Sequence, residues 1–217
     1  MQQEHYLQAL GIQSFERRHL TCPTAQTTPD WDNLQSRVAA CTACSLHQGR
    51  TQTVFGVGNR EAKLMIIGEA PGFHEDQQGE PFVGRAGQLL TAMIKTIGFD
   101  RKDVFIANIL KCRPPNNRDP NAEEVATCTP FLDQQIALVQ PILLMAVGRI
   151  ASHYLLNTKS SLESLRNKIH VYGENSIPLI VTYHPAYLLR NPADKKKAYA
   201  DLLFIHKTLS KHHGESS

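Results

Sequence analysis

From Lys63 onward the chain alternates two kinds of hydrophobic pattern. Four short runs are apolar almost without interruption: LMIIG from Leu64 to Gly68, VFIAN from Val104 to Asn108, ILLMAVG from Ile142 to Gly148 and PLIVTYH from Pro178 to His184. Runs of this kind suit strands covered on both faces. Between them, Ala86 to Ile97, Ala122 to Val139 and Arg149 to Leu156 place apolar residues at helical spacing, and a last such stretch runs from Lys195 to Leu209. The alternation predicts an α/β fold, a three-layer α/β/α sandwich around a central, mostly parallel, four-stranded sheet. Ahead of it, Trp31 to Ala40 reads as a short helix with Asp30 placed to cap it.

Sheets of this type bind ligands beyond the carboxyl ends of their strands, where loops and helix N-termini converge. Glu69 follows the first run, Asn108 closes the second and His184 closes the last. Three polar residues far apart in sequence are therefore expected to share one crevice.

The chain divides near residue 30. An amphipathic stretch from His5 to Arg18 and a Pro- and Thr-rich segment from Thr21 to Pro29 read as an N-terminal arm and linker. Residues 31–217 then form a single domain, a size that buries a substantial core. No apolar run approaches the length of a membrane-spanning helix, and Glu4, His5, Glu16, Arg17 and Arg18 stand where a signal peptide needs an apolar stretch. A cytoplasmic, monomeric protein with no membrane partner is expected. The net charge is only +3, so a nucleic-acid partner has to be argued from local charge.

Five cysteines in a chain without an export signal suggest metal ligation rather than disulfides. Cys41 and Cys44 form a C-x2-C pair, and Cys112 and Cys128 supply two further thiols. Four thiolates suit either zinc or an iron-sulfur cubane, and spacing does not choose between them. Cys112 and Cys128 could instead be buried core residues. Cys22, in the linker, reads as a bystander.

The segments CTACSLHQGRTQTVFGVGN from Cys41, GEAPGFHED from Gly68, PFVGRAGQLL from Pro81, NILKCRPPNNRDP from Asn108 and HPAYLLR from His184 occur in this order. Together they resemble the family 4 uracil-DNA glycosylases, iron-sulfur enzymes of bacteria and archaea, from Cys41 to about Phe204. The resemblance implies that Cys41, Cys44, Cys112 and Cys128 hold a [4Fe-4S] cluster with a structural role, since hydrolysing a glycosidic bond needs no redox step. It implies a substrate too: uracil-containing DNA, from which the base is flipped and cut away.

The same resemblance distributes roles. Phe82 would stack on the uracil. Asn108 would read its edge, donating to O4 and accepting from N3–H, a pattern opposite to cytosine's. His184 would stabilise negative charge at O2 as uracil leaves. The GEAPG loop, with Gly68, Glu69 and Ala70, would approach the base through backbone amides. Related glycosylases with GQDPY-type loops carry a water-orienting aspartate where this chain has Ala70, so either a nearby acid positions the water or the enzyme relies mainly on leaving-group stabilisation and substrate electrostatics. Glu75 and Glu69, ranked in that order, are the candidates, with Asp76 nearby. No lysine nucleophile is called for, which predicts a monofunctional enzyme that leaves an abasic site. DNA contact is expected from a loop after His184, with Tyr187, Leu188 or Leu189 inserted into the gap left by the flipped base and Arg190 on a phosphate; the alternative is that Leu188 and Leu189 start the last helix and face the core. Arg85, opening the helix after PFVG, is a further phosphate contact.

Two other classes compete. A non-catalytic iron-sulfur nucleic-acid-binding module would explain the cysteines but not Phe82, Asn108 and His184 together. A ferredoxin-like electron carrier would need more compact cysteine spacing. The stretch YLQALGIQSFERR is loosely similar to the N-terminal peptide of the psi subunit of a bacterial clamp loader, which makes the arm a candidate docking helix for a replication or repair protein.

Overall fold

The computed structural model describes residues 30–173 and 175–214; the candidate docking arm and Cys22 lie outside them. In chain order the elements are α1 (Trp31–Ala39), β1 (Val57–Gly58), β2 (Leu64–Gly68), α2 (Phe73–Gln78), α3 (Arg85–Lys95), β3 (Phe105–Asn108), α4 (Ala122–Val139), β4 (Leu143–Val147), α5 (Arg149–Leu155), α6 (Leu162–Leu165), β5 (His170–Tyr172), β6 (Ile177–Thr182), α7 (Pro185–Arg190) and α8 (Lys195–Gly214), with short 3-10 turns between some of them.

The sheet has six strands in the order β1-β3-β2-β4-β6-β5, not the four expected. The four predicted strands form its parallel centre. The two additions are antiparallel edges of two and three residues, too short to leave a periodic signal in the sequence. Every residue of β2, β3 and β4 is buried, which accounts for the unbroken apolar runs.

Strand alternation sorts the core into two halves. Met65, Ile67, Ala107, Leu144, Ala146 and Val181 face α4 and α5, while Leu64, Ile66, Ile106, Met145 and Ile180 face α3 and α8. Helices therefore cover both faces. By the same period-2 rule Gly68 lies on the face of Ile66 and Asn108 on that of Ile106. The two are register partners, so the sheet itself brings them side by side.

Local chemistry sets the helix starts. Asp30 accepts from Asp32 N at 3.3 Å to cap α1, and Asn121 and Glu124 form a reciprocal capping box at α4. HPAYLLR, expected as a loop, is the turn into and the whole of α7, with His184 at the N-cap and Pro185 in the first turn, where a missing N–H costs nothing. His184 thus lies two residues past the strand it was expected to close.

Candidate active site

Asn108 is 2% exposed, and its side-chain Oδ1 is the one buried side-chain polar atom without a hydrogen-bond partner among the described residues. An orphaned acceptor of this kind is costly unless a ligand supplies the donor. A Cβ at Gly68 would stand 2.4 Å from that oxygen and 2.6 Å from Phe82 Cζ, so only glycine leaves the space between the amide and the aromatic ring.

Phe82 adopts φ 55°, an unusual conformation for a bulky residue. It is held from both sides. Arg101 donates to the carbonyls of Phe82 at 3.2 Å and Pro81 at 2.8 Å, and Glu75 Oε1 accepts from the amides of Val83 at 3.0 Å and Gly84 at 3.3 Å. Gly87 lets α3 approach, since a Cβ there would sit 1.7 Å from the Phe82 carbonyl oxygen. Asp76 is likewise engaged, accepting from Thr51 N at 2.9 and 3.1 Å. The carboxylates of Glu75 and Asp76 thus hold loops in place.

The His184 ring lies 5.8 Å from that of Phe82, inclined at 33°. Its Nδ1 accepts from Ala186 N at 3.1 Å, so in the neutral ring the proton is on Nε2. Burial pushes the pKa down to about 4, Arg190 pushes the same way, and Glu75 opposes them. His184 is therefore a neutral donor at physiological pH. Gly148, at φ 92°, admits it closely, because a Cβ there would be 2.8 Å from His184 Cβ.

Behind His184 lies a polar bed. Arg166 grips Asp201 with two bonds of 2.8 and 2.9 Å, and Thr182 donates to the same carboxylate at 2.8 Å. Tyr183 donates to Glu163 at 2.5 Å and stacks on Tyr187 at 5.2 Å. The Tyr187 hydroxyl donates to Asp194 at 2.6 Å.

A cleft of about 690 Å³ opens beside His184, lined also by Glu69, Asp119, Arg149, Tyr187 and Arg190. Burial raises the Glu69 carboxyl to about 7, the negative charge of Asp119 adds to the rise, and Arg149 opposes it. Arg149 and Asp119 approach to 3.5 Å. Of the two carboxylates considered for water, Glu69 faces this cleft and Glu75 is committed to the Phe82 loop. Ala70, half-buried, packs against the α4 side of the core.

Arg85 and Arg190 are exposed, as phosphate contacts require. Leu188 is not available for insertion: it is 1% exposed and packs into the core with α3 and α8. A helix turns one face inward, and on α7 that face carries Leu188, with Tyr187 half-buried against the same core and Leu189 half-buried beside it.

Cys41, Cys44, Cys112 and Cys128 line one hollow with Arg50 and Lys111, and all four are free thiols. Arg50 donates to Cys112 Sγ at 3.1 Å and to the Cys41 carbonyl at 2.8 Å, and Lys111 N donates to Cys128 Sγ at 3.3 Å. Burial raises the Cys112 thiol and lifts Cys128 to about 11, with Arg50 and Lys111 pulling each down in turn. Among the described residues no three His, Cys, Asp or Glu side chains group closely enough for a single metal ion.

Sequence reasoning missed Asp119 and Arg149 in the cleft. Arg149 was within its reach, as the residue after the Gly148 strand end. Arg50, Arg101, Lys111 and the Arg166–Asp201 pair left no local signal, since each acts through contacts distant in sequence.

Residues 55–204 match the model of the uracil DNA glycosylase superfamily. The chain is 45% identical over 172 residues to the type-4 uracil-DNA glycosylase of Sulfurisphaera tokodaii, covering 76% of this chain and 78% of the relative. It is 44% identical over 164 residues to the type-4 enzyme of Thermotoga maritima, covering 75% and 84%. With the type-4 enzyme of Archaeoglobus fulgidus the identity is 40% over 177 residues, covering 78% and 88%.

Proposed function

Since the chain belongs to the uracil-DNA glycosylase superfamily, and within it to the type-4 enzymes, we propose a mechanism in which Phe82, Asn108, His184 and Glu69 carry its reaction. The chain is a uracil-DNA glycosylase acting in base excision repair, and its substrate is uracil-containing DNA. The single observation that carries the assignment of roles is the unpartnered Oδ1 of Asn108. A uracil slid between Asn108 and Phe82 supplies the missing donor as its N3–H, while the amide nitrogen donates to O4. Cytosine offers an acceptor at N3 and a donor at C4, and so meets the amide with the wrong polarity.

With the base seated, the C1′–N1 bond breaks and its electron pair goes to the ring, gathering as negative charge at O2. The Nε2–H of neutral His184 is already placed beside the pocket to donate to that oxygen, so its bond strengthens as charge develops. Water adds its oxygen to C1′ and gives a proton to the Glu69 carboxylate across the cleft. The products are free uracil and an abasic sugar with an uncut backbone. Tyr187 and Leu189 hold the flipped state from α7, and Arg85, Arg149 and Arg190 meet phosphates.

The cysteine hollow fits a [4Fe-4S] cluster. Four cysteine thiols around one shared space are a donor set that iron–sulfur centres use. Bound there, the cluster would supply iron–thiolate crosslinks from Cys41 and Cys44 in the segment before β1 to Cys112 in the loop after β3 and Cys128 on α4.

The test is release of free uracil from a labelled oligonucleotide. The intact protein should release it and leave the strand whole until alkali is added. His184→Ala should lose about 100-fold or more of the rate, and Asn108→Ala should lose release together with discrimination against cytosine. No release by folded, iron-loaded protein would overturn the mechanism, as would cleavage of the strand without alkali.

A further inference from the structure

Lys111 heads the fully buried side chains by size, at 1% exposure. Its Nζ donates to the main-chain carbonyl of Asn108 at 2.7 Å and to Gln135 Oε1 at 2.6 Å, and Gln135 in turn donates to the Phe55 carbonyl at 2.8 Å. Both acceptors of the ammonium are neutral. Among the described residues no carboxylate pairs with it, and its own main-chain N–H donates to Cys128 Sγ at 3.3 Å. An ammonium buried without a counter-charge is strongly disfavoured, so its partner is to be sought in the hollow it lines with the four cysteines.

Four thiolates leave a [4Fe-4S] centre net negative. Arg50 is the other cation at that hollow, but it is only half-buried, so solvent screens its charge in a way that Lys111 does not experience. Resting on the cluster reading above, we propose that Lys111 is the buried counter-ion of the iron-sulfur centre. Through the same Nζ it is the positioning residue that ties this centre to the strand end carrying Asn108. The ammonium stays where it is because the centre is negative, and Asn108 is held because the ammonium stays.

The test compares iron retention in the intact protein, Lys111→Met, Gln135→Glu and Gln135→Met, read as loss of visible absorption and appearance of iron on a ferrous chelator. Lys111→Met removes the charge at similar volume, and should release iron about tenfold faster or more. Gln135→Glu gives the ammonium a carboxylate and so cancels the same charge; it should also accelerate release, which provides the test should Lys111→Met fail to fold. Gln135→Met removes the hydrogen bonds but keeps the charge, and should stay near the parent. Equal release from the charge-cancelling variants and the parent would overturn the counter-ion role. Iron-loaded Lys111→Met should show a several-fold higher KM for uracil-containing DNA with a smaller change in kcat; an unmoved KM would overturn the tie to Asn108. A parent protein that carries no iron and sulfide would instead overturn the cluster reading itself.

Discussion

The two walls of the base pocket are held in opposite ways. Asn108 stands on a strand, in register with Gly68, and the main chain beyond it keeps pairing, with Ile109 and Leu110 donating to the carbonyls of Gly68 and Glu69 at 3.0 Å each. Phe82 and His184 stand off the strands: Glu75 and Arg101 hold the loop of Phe82, and the Arg166–Asp201 pair holds Thr182 and Tyr183, which lead into His184. The wall proposed to read the base is therefore as stiff as the sheet. The wall proposed to stack on it and stabilise its departure is only as stiff as its clamps, so single substitutions far from the base should loosen the second wall and leave the first intact.

The largest such effect is expected at Asp201. It is fully buried and Arg166 is 4% exposed, so Asp201→Ala strands a buried guanidinium, whose exposed partner Glu163 offsets only part of the loss. Removing one member of a buried pair costs about 3–5 kcal/mol. A denaturant midpoint lowered accordingly, with uracil release falling as Tyr183 and His184 shift, is the expected result; a loss below about 1 kcal/mol would show that the bed carries no load.

Arg101→Met should divide the walls more cleanly. Arg101 touches the Phe82 loop through two carbonyls and no part of β3. Thermal stability should change little, while kcat/KM for uracil release falls about 100-fold if the ring moves by an ångström. Discrimination against cytosine, which the proposed mechanism gives to Asn108, should persist. Arg101→Lys should restore part of the rate by keeping one donor. Loss of discrimination together with rate would break the proposed division.

The same division explains what the sequence could reveal. Strands buried on both faces leave unbroken apolar runs, and a polar residue that ends such a run is conspicuous, so Glu69, Asn108 and His184 stood out; Glu69 and His184 line the cleft, while Asn108 lies buried beside Gly68. The C-x2-C pair was readable too, because both its thiols lie in one short segment. Edge strands β1 and β5 were not, being too short for a period. Nor were the clamps, because an arginine that will hold a loop 19 residues away, as Arg101 holds Phe82, looks like any solvated arginine. HPAYLLR was misread as a loop for a related reason. A proline in the first turn begins a helix, and that helix turns Leu188 inward.

Glu69 belongs to neither wall and provides the smallest and most diagnostic effect. Its carboxyl is raised to about 7, so it is mostly protonated at pH 6 and cannot then take a proton from water. Uracil release should climb about tenfold from pH 6 to a plateau above pH 8, following ionisation of a group with that pKa. His184, neutral down to about pH 4, contributes no limb in that window. Glu69→Gln should be slower and flat across it; a limb that survives the substitution would assign it to another group. Stability should run the other way. A carboxyl whose folded pKa lies above its unfolded value of 4.5 stabilises the fold most below pH 4.5, and that contribution is lost as pH rises through 7. Glu69→Gln carries no charge to bury, so above pH 7 it should melt higher than the parent while releasing uracil more slowly. A carboxylate kept for packing alone would not show that opposition, because its replacement by the neutral amide would raise stability without slowing the reaction.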